Sequence, residues 1–194
     1  MMARAGLTAD RITEVAAALA DEIGFDAVTM SEVARVFGVK DASLYSHVRN
    51  LRELRARIAA AAAAEKSELI ADAVAGRSGK AALRAFADTY REYALAHPGR
   101  YAATQTPFDP DIGVDFPGAV RAVELTYGML RGYHLSEPDL TDAVRLLRST
   151  FHGFTALEAA GGFGHARPTA SSWDRVVDAL HQTLTRWPAA QVNP

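Results

Sequence analysis

The segment from Thr29 to Ile58 constrains the fold of this chain most strongly, because it contains start and stop signals for consecutive short helices. Thr29 followed by Glu32 forms a capping box, in which the hydroxyl accepts a free backbone N–H and the carboxylate reaches back to the cap. Gly38 follows the first apolar stretch, where a glycine ends a helix readily in the left-handed conformation. These signals predict a short helix between Thr29 and Gly38.

The apolar residues of this first helix share one face, at i, i+3, i+4 and i+7: Met30, Val33, Ala34 and Phe37. A second short helix is predicted directly after the Gly38 turn. We expect the second helix to span 40–48, with Leu44 and Val48 turned inward. Asn50 with Glu53 repeats the capping box and begins a third helix. Two short helices across a tight turn form a helix-turn-helix, whose second helix reads the major groove of DNA.

Composition favours helix in the rest of the chain. Hydrophobic residues make up 49% of the 194 residues, and alanine is abundant. The chain has no cysteine, which excludes disulfides and agrees with a reducing compartment. There is no signal segment and no uncharged apolar run of about 18 residues. We therefore expect a cytoplasmic protein without a membrane partner.

Apolar periodicity predicts further helices on both sides of the helix-turn-helix. Thr8 caps a first helix that Gly24 ends, and the helix after Asn50 continues towards Ile70. The turn-rich residues 75–79 form the clearest linker. Later helices are expected at 80–97, at 117–133, from a Ser136 cap through Phe154, and at 172–187, with a short segment at 100–106 that leads to a loop at 107–111.

The last two of these helices have more apolar surface than a chain of this size needs for its own core. The economical explanation is that they pair with a second copy to form a four-helix bundle. The residues predicted to form this dimer interface are Leu147, Phe154, Trp173, Val177, Leu180 and Leu184.

The helix-turn-helix residues resemble those of a known family. The series Thr29, Ala34, Gly38-Val39, Ser43-Leu44-Tyr45, His47 and Leu54 is similar to the N-terminal domain of TetR-family bacterial transcriptional regulators. Residues 96–101 and 151–154 resemble the WHG type of TetR C-terminal ligand-binding domain, with Phe in place of Trp. The resemblance implies an all-α fold of about nine helices. It places a three-helix DNA-binding domain at 1–58 and a helical effector-binding and dimerisation domain at 59–194.

The resemblance also implies which residues contact double-stranded DNA. Thr29, Tyr45 and His47 match positions that donate to backbone phosphates. The positions expected to face bases are Lys40, Asp41, Ala42, Ser43 and Ser46. Two residues depart from the family pattern: Asp41 replaces a basic residue and would suit cytosine N4, and Leu51 replaces a lysine. We expect Arg49 or Arg52 to substitute for that lysine.

Charge alone does not indicate a nucleic-acid partner, because the net charge is −2. Residues 1–60 contain eight Arg/Lys and eight Asp/Glu. However, residues 49–57 contain four arginines and only Glu53 as an acidic residue. A basic edge beside a helix-turn-helix predicts salt-sensitive phosphate binding. The alternatives are a solvated helix face for the arginines and a half-buried packing role for Tyr45.

For the C-terminal domain the resemblance implies a mostly apolar effector pocket. Its candidate lining residues are Phe86, Tyr90, Tyr93, Tyr101, Phe108, Tyr127, Arg131 and Phe151. The alternative is that these aromatic residues form core. Gly153, beside His152, predicts a close helix crossing because glycine has no side chain to obstruct it; the alternative is that His152 orients a ligand.

Together these features predict a repressor that binds a palindromic operator as a homodimer and is released by a small, largely apolar effector. The alternatives are an activator, a regulator that answers to a protein partner, or an enzyme on the same scaffold. We expect no catalytic residue, cofactor or metal. The series Asp109-x-Asp111 lacks the Gly and Glu that a calcium loop requires, having Val114 and Val120 there.

Overall fold

The computed structural model describes residues 6–107 and 109–187, and within them the chain forms nine α-helices and no strand. The predicted all-α fold is therefore confirmed. The helices are α1 (Ala9–Ile23), α2 (Met30–Phe37), α3 (Asp41–Leu44), α4 (Leu51–Val74), α5 (Gly79–Ala96), α6 (Pro98–Ala103), α7 (Pro117–Leu130), α8 (Asp139–Ala159) and α9 (Thr169–Thr185). Short 3₁₀ helices lie at Phe25–Ala27, Pro110–Ile112 and Arg131–Tyr133. None of the described helices has both the length and the apolar character needed to cross a membrane.

The helices group into two units. The first contains the residues up to Lys66 together with Ala96–Val120, and the second contains Ser67–Leu95 together with the residues from Arg121 onward. Because the division falls at Lys66, α4 contributes to both units. The domain boundary predicted from the sequence, at residue 58, lies inside α4. The same prediction placed the segment Ala96–Val120 in the C-terminal domain.

A short helix that the sequence analysis did not foresee explains why this later segment belongs to the first unit. A helix stop was predicted at residues 97–99 and no helix was assigned to 100–106, but Pro98 occupies the first turn of α6, where its missing N–H is no loss. A Cβ at Gly99 would lie 2.0 Å from the Ala20 carbonyl oxygen at the end of α1. The Arg100 N–H also donates to Asp21 Oδ1 at 2.8 Å. Only glycine permits this close approach between α1 and α6.

The core of the first unit supports the inner faces of the helix-turn-helix helices. Among its fully buried side chains are these from α1, α2, α3 and α4: Ile12, Ala16, Val33, Leu44, Leu54 and Ile58. Apolar burial of this kind stabilises by about 25 cal/mol per Å² of surface removed from water. The outward residues of α2 and α3 therefore project from a rigid base.

The core of the second unit is built around Phe151 of α8, which is 1% exposed. Its ring centroid lies 5.6 Å from those of Tyr90 on α5 and Trp173 on α9, and 6.1 Å from Phe86. The Trp173 Nε1–H donates to Asp88 at 2.8 Å, which satisfies the buried indole. α5, α8 and α9 thus share one aromatic core.

The start of α8 differs from the sequence-based prediction. Ser136 was expected to cap this helix with its side chain, but the cap position is Pro138, and it makes no side-chain cap hydrogen bond. Ser136 contributes to the start of α8 through its backbone carbonyl oxygen instead, which accepts the Leu140 N–H at 2.9 Å.

Candidate nucleic-acid interface

The cap predicted for α2 is present, although one arm of the capping box has a different partner. Thr29 Oγ1 accepts the Glu32 N–H at 3.1 Å, and its hydroxyl hydrogen has no acceptor among the residues described. The Glu32 carboxylate pairs with Arg35 instead of reaching back to the cap. At the other end, Gly38 has φ 66° and ψ 31°, the left-handed conformation predicted for it.

The second helix of the motif is shorter than predicted, so the expectation of a helix over 40–48 was wrong in extent. α3 ends at Leu44, and residues 45–47 continue as a turn. The Ser46 hydroxyl donates to the Ser43 carbonyl oxygen at 2.9 Å, a side-chain bond that competes with helix continuation. Leu44 is 0% exposed and Val48 1% exposed, as their inward placement predicted.

The outward positions of this segment are available to a partner. Tyr45 is 51% exposed, which does not fit the alternative that it is mainly a packing residue. The other exposed members are Lys40, Ala42, Ser46 and His47, whereas Asp41 and Ser43 are half-buried. Lys40 has no ion-pair partner within the described part of the chain. Residues 40–47 therefore present a phenol, an imidazole, an ammonium group and small side chains on one short stretch.

Asp41 has a structural partner within the protein. The Ser31 hydroxyl of α2 donates to Asp41 Oδ2 at the start of α3. This bond links the two helices across the Gly38 turn. Asp41, one of the two residues that depart from the family pattern, thus helps to set the geometry of the motif.

Glu53 organises the start of α4. Asn50 Oδ1 accepts the Glu53 N–H at 2.9 Å, as the second capping box predicted, while the Glu53 carboxylate accepts the Arg49 N–H at 2.9 Å. Arg57 Nε donates to the other carboxylate oxygen at 2.8 Å. Burial acts to raise the pKa of Glu53, but the hydrogen bonds from Arg49 and Arg57 outweigh it and lower the pKa to about 2.

The basic edge predicted at residues 49–57 is largely occupied by contacts within the protein. Arg55 donates to the Asp26 carbonyl oxygen at 2.8 Å, and its guanidinium lies 5.6 Å from the Phe25 ring centroid. Arg57 pairs with the buried Glu53. Arg55 and Arg57 are therefore structural in this arrangement, and only Arg49 and Arg52 have side chains more than half exposed.

Arg49 and Arg52 meet a turn that sequence reasoning did not connect with the motif. Arg52 Nη2 pairs with the Asp109 carboxylate, and Arg49 Nη2 donates to the Ile112 carbonyl oxygen. The hydrogen bond from Arg52 lowers the pKa of Asp109. Asp109 also accepts the Asp111 N–H, which caps the 3₁₀ helix Pro110–Ile112. The Asp-Pro-Asp sequence signals a capped turn, but no local signal pairs it with residues in α4.

The candidate effector residues fall into three groups. Phe86, Tyr90, Tyr93 and Phe151 are buried in the second unit, where three of them form the aromatic core; Tyr101 is buried in the first unit, and Phe108 lies outside the described residues. Tyr127 and Arg131 instead line a cavity of about 530 Å³ in the second unit. The structure does not bring the seven described candidates together.

This cavity is more cationic than the sequence suggested. Its apolar lining includes Val74, Leu125 and Met129, and its charged lining consists of Arg77, Arg121, Arg131 and Glu124. Arg121 lies 3.4 Å from Glu124, and Arg131 has no ion-pair partner among the residues that the structure describes. The guanidinium groups of Arg77 and Arg131, which no carboxylate pairs among the described residues, suit an amphipathic anion beside the apolar lining better than a neutral apolar ligand.

A larger cavity of about 770 Å³ lies in the first unit. Its lining contains four carboxylates, those of Asp10, Glu14, Glu65 and Asp115, against the guanidinium groups of Arg57 and Arg100. Both arginines are already paired, with Glu53 and with Asp21 and Glu65. This acidic lining does not suit a nucleic-acid phosphate.

The residues predicted for a dimer interface lie mostly inside the protomer. Leu147, Trp173, Val177, Leu180 and Leu184 are all under 9% exposed within the single chain, and Phe154 is half-buried against Phe163. Their apolar seams cover one another rather than facing outward. A Cβ at Gly153 would meet nothing within 4 Å, so the close helix crossing predicted there does not occur within the described chain.

Comparison with known proteins identifies similarity in both halves of the chain. Residues 12–58 match the model described as "Bacterial regulatory proteins, tetR family", and residues 83–180 match "Tetracyclin repressor-like, C-terminal domain". These matches confirm the resemblance drawn from the helix-turn-helix and from the C-terminal motifs.

Individual proteins agree with these family matches. The chain is 31% identical to the uncharacterized HTH-type transcriptional regulator YobS of Bacillus subtilis, covering 84% of this chain and 85% of YobS. It is 33% identical to the uncharacterized HTH-type transcriptional regulator Rv0681 of Mycobacterium tuberculosis, covering 81% and 72%. The crystal structure of BioQ with its double-stranded DNA operator has a TM-score of 0.63 and 20% identity, covering 91% and 99%. At that identity the last similarity supports the fold alone.

Proposed function

Because the chain belongs to the TetR family of DNA-binding transcriptional regulators, we propose that it represses transcription by binding a palindromic operator as a homodimer. The observation that supports this most is the exposed segment 45–47, held over the buried pair Leu44 and Val48. A turn with a rigid base and polar outward side chains is suited to the major groove. BioQ, which shares the fold, has been solved with its operator.

The proposed contacts follow from donor chemistry and exposure. Thr29, Tyr45 and His47 each offer an O–H or N–H to a phosphate oxygen, and Arg49 and Arg52 add charge beside them. The positions proposed to face bases are Lys40, Asp41, Ala42, Ser43 and Ser46. Asp41 has one oxygen engaged by Ser31, which leaves the other for a cytosine amino group.

Footprinting and gel-shift assays on the DNA flanking its own gene test the operator proposal. Wild type is expected to protect a palindrome, with affinity that falls as salt rises. Tyr45→Ala is expected to weaken binding about tenfold or more by removing a phosphate donor and its packing. Val36→Ala is the matched control, because Val36 is also exposed but lies on α2. Absence of salt-sensitive, palindrome-specific binding would overturn the proposal.

We also propose that an effector binds the cavity lined by Tyr127 and Arg131 and releases the operator. This departs from the expected apolar effector, since three arginines line the cavity, and points to a ligand with an apolar body and an anionic group. α4 is one helix that runs from the operator-binding unit into the second unit. A shift of α4 would change the half-site separation, provided that the ligand binds the DNA-incompetent state more tightly.

Thermal-shift measurements with medium-chain carboxylates and the corresponding neutral alcohols test the effector chemistry. The carboxylates are expected to raise Tm and the alcohols to raise it less, because only the anion pairs with the cavity arginines. Arg131→Ala is expected to remove this difference. Arg175→Ala is the control, since Arg175 is exposed on α9 and does not line the cavity. Equal shifts with both ligand classes would contradict an anionic effector.

Two alternatives to a ligand-released repressor can be tested with the same reagents. An activator would raise rather than lower transcription of a reporter that carries the footprinted site. A regulator that answers to a protein partner would show no release by any carboxylate. No group of three or more His, Asp or Glu among the described residues could hold a metal ion.

A further inference from the structure

The Asp109 carboxylate binds Arg52, a side chain that the proposed function assigns to a DNA phosphate. The paired atom is Arg52 Nη2, and Arg52 lies in the first turn of α4, directly after the helix-turn-helix. A carboxylate and a phosphate present the same kind of anionic acceptor to a guanidinium. A phosphate that binds this face of Arg52 must therefore displace Asp109.

The same turn approaches the neighbouring arginine. Arg49 Nη2 donates to the carbonyl oxygen of Ile112, three residues after Asp109. The turn has its own support, because Asp109 Oδ1 accepts the Asp111 N–H and Gly113 takes φ 69°. One pre-formed turn thus presents two acceptors to the two exposed arginines of the basic edge.

The pair between Arg52 and Asp109 is exposed enough to exchange. The Arg52 side chain is 61% exposed and that of Asp109 34% exposed. Surface ion pairs of this type contribute little to stability and are screened by salt. The contact can therefore open when DNA binds. The free energy needed to break it is subtracted from that of DNA binding, so the pair lowers the DNA affinity.

We propose that Asp109 sets the operator affinity of this protein by competing with a DNA phosphate for Arg52. This inference rests on the proposed function, because it takes Arg52 to be a phosphate contact. Asp109 is a positioning residue and does not itself touch DNA. Its carboxylate holds Arg52 in a paired state, and DNA binding exchanges that carboxylate for a phosphate.

Asp109→Asn tests the proposal without removing the turn. The asparagine keeps an oxygen that can accept the Asp111 N–H, but it loses the charge that pairs with Arg52. Asp111→Asn is the matched control, because it removes one negative charge from the same turn and its side chain is exposed. The probe is the palindromic duplex that wild type protects in footprinting, and the readout is Kd across a salt series.

Asp109→Asn is expected to tighten binding about two- to fivefold at low salt, with the gain fading as salt rises. Asp111→Asn is expected to change Kd much less. In an Arg52→Ala background Asp109→Asn should have no effect, because the competing pair no longer exists. A gain that is equal for both asparagine variants, or that persists without Arg52, would overturn the inference.

The outcomes also separate this inference from the proposed function. If wild type protects no palindrome, the proposed function fails. If wild type binds and Arg52→Ala weakens binding while Asp109→Asn does not strengthen it, only the competition is refuted. If Arg52→Ala leaves Kd and its salt dependence unchanged, Arg52 is not a phosphate contact, and the inference falls while operator binding stands.

Discussion

The Glu53 carboxylate accepts hydrogen bonds at 2.9 Å from both the backbone N–H and the side-chain Nε of Arg49. Arg57 reaches the same carboxylate from the next turn of α4. Glu53 is buried, so its charge is tolerated only because these donors surround it. A single carboxylate therefore fixes the connection between the reading segment and α4.

The first prediction concerns acid. The pKa of Glu53 is lowered from 4.5 to about 2 in the folded protein. A lowered pKa contributes stability that is fully present above the unfolded value and is lost as pH falls through the folded value. Glu53→Gln should therefore reduce the free energy of unfolding at pH 7 by on the order of 2–3 kcal/mol. The deficit should shrink between about pH 4.5 and pH 2.

Urea unfolding at several pH values measures this difference. Glu14→Gln is the control, because Glu14 is an exposed carboxylate that pairs with Arg11 on the surface of α1. Its effect should stay below about 1 kcal/mol at every pH. A Glu53→Gln deficit that does not change with pH would show that the lost interaction is not electrostatic.

The second prediction compares two glycines. A Cβ at Gly99 would lie 2.0 Å from a backbone oxygen of α1, whereas a Cβ at Gly153 would meet nothing within 4 Å. Gly99→Ala should destabilise by about 3 kcal/mol or more, because backbone has to move. Gly153→Ala should stabilise by about 0.5–1 kcal/mol, as expected for alanine in a helix. Thermal unfolding of both variants at one protein concentration measures these changes.

Repeating the Gly153→Ala measurement at several concentrations adds information about assembly. A loss of stability that depends on protein concentration would place Gly153 in an interface between copies. A gain that does not depend on concentration would show that this part of α8 faces solvent.

Local signals were predictable from the sequence, and distant pairings were not. The caps at Thr8 and Thr29, the left-handed Gly38 and the inward Leu44 each depend on a few neighbouring residues, and each is present. The extent of α3 was missed because the Ser46 side chain competes with the backbone for the Ser43 carbonyl.

The candidate sites show the same limit. Periodicity identifies which face of a helix is apolar, but not what that face meets. The pattern of Phe86 and Tyr90 is therefore compatible with a pocket as well as with the core, which such aromatic stripes form more often, and the structure places both against Phe151. Likewise, Arg52 and Asp109 are 57 residues apart, so no spacing rule could pair them.

The third prediction separates structural from DNA-facing arginines. Arg55 donates to the Asp26 carbonyl oxygen and lies over Phe25, so it holds the turn before α2. Arg55→Ala should lower the free energy of unfolding by about 1–3 kcal/mol. It should leave the salt dependence of DNA binding unchanged, whereas Arg52→Ala should reduce the slope of log K against log salt by about 1. A reduced slope for Arg55→Ala would mean that Arg55 leaves its internal partners to bind phosphate.

The last prediction concerns the homodimer. The inner seams of α8 and α9 are buried within the protomer, so a homodimer formed through these two helices would use their outward faces. Leu157 on α8 is 51% exposed and Phe163, four residues beyond the end of α8, is 37% exposed, so this end of α8 has apolar surface available to a second copy. Leu157→Arg should raise the dimer Kd about 30-fold or more, because apolar burial is lost and two like charges approach across the two-fold axis.

Sedimentation velocity over a concentration series measures this effect. Leu69→Arg is the matched control, because Leu69 is a similarly exposed leucine, at 46%, on α4 rather than α8. Both variants should remain folded by circular dichroism, since neither leucine is buried. If Leu157→Arg sediments as wild type does, the dimer is formed by another surface. If Leu69→Arg dissociates and Leu157→Arg does not, that surface includes the exposed side of α4.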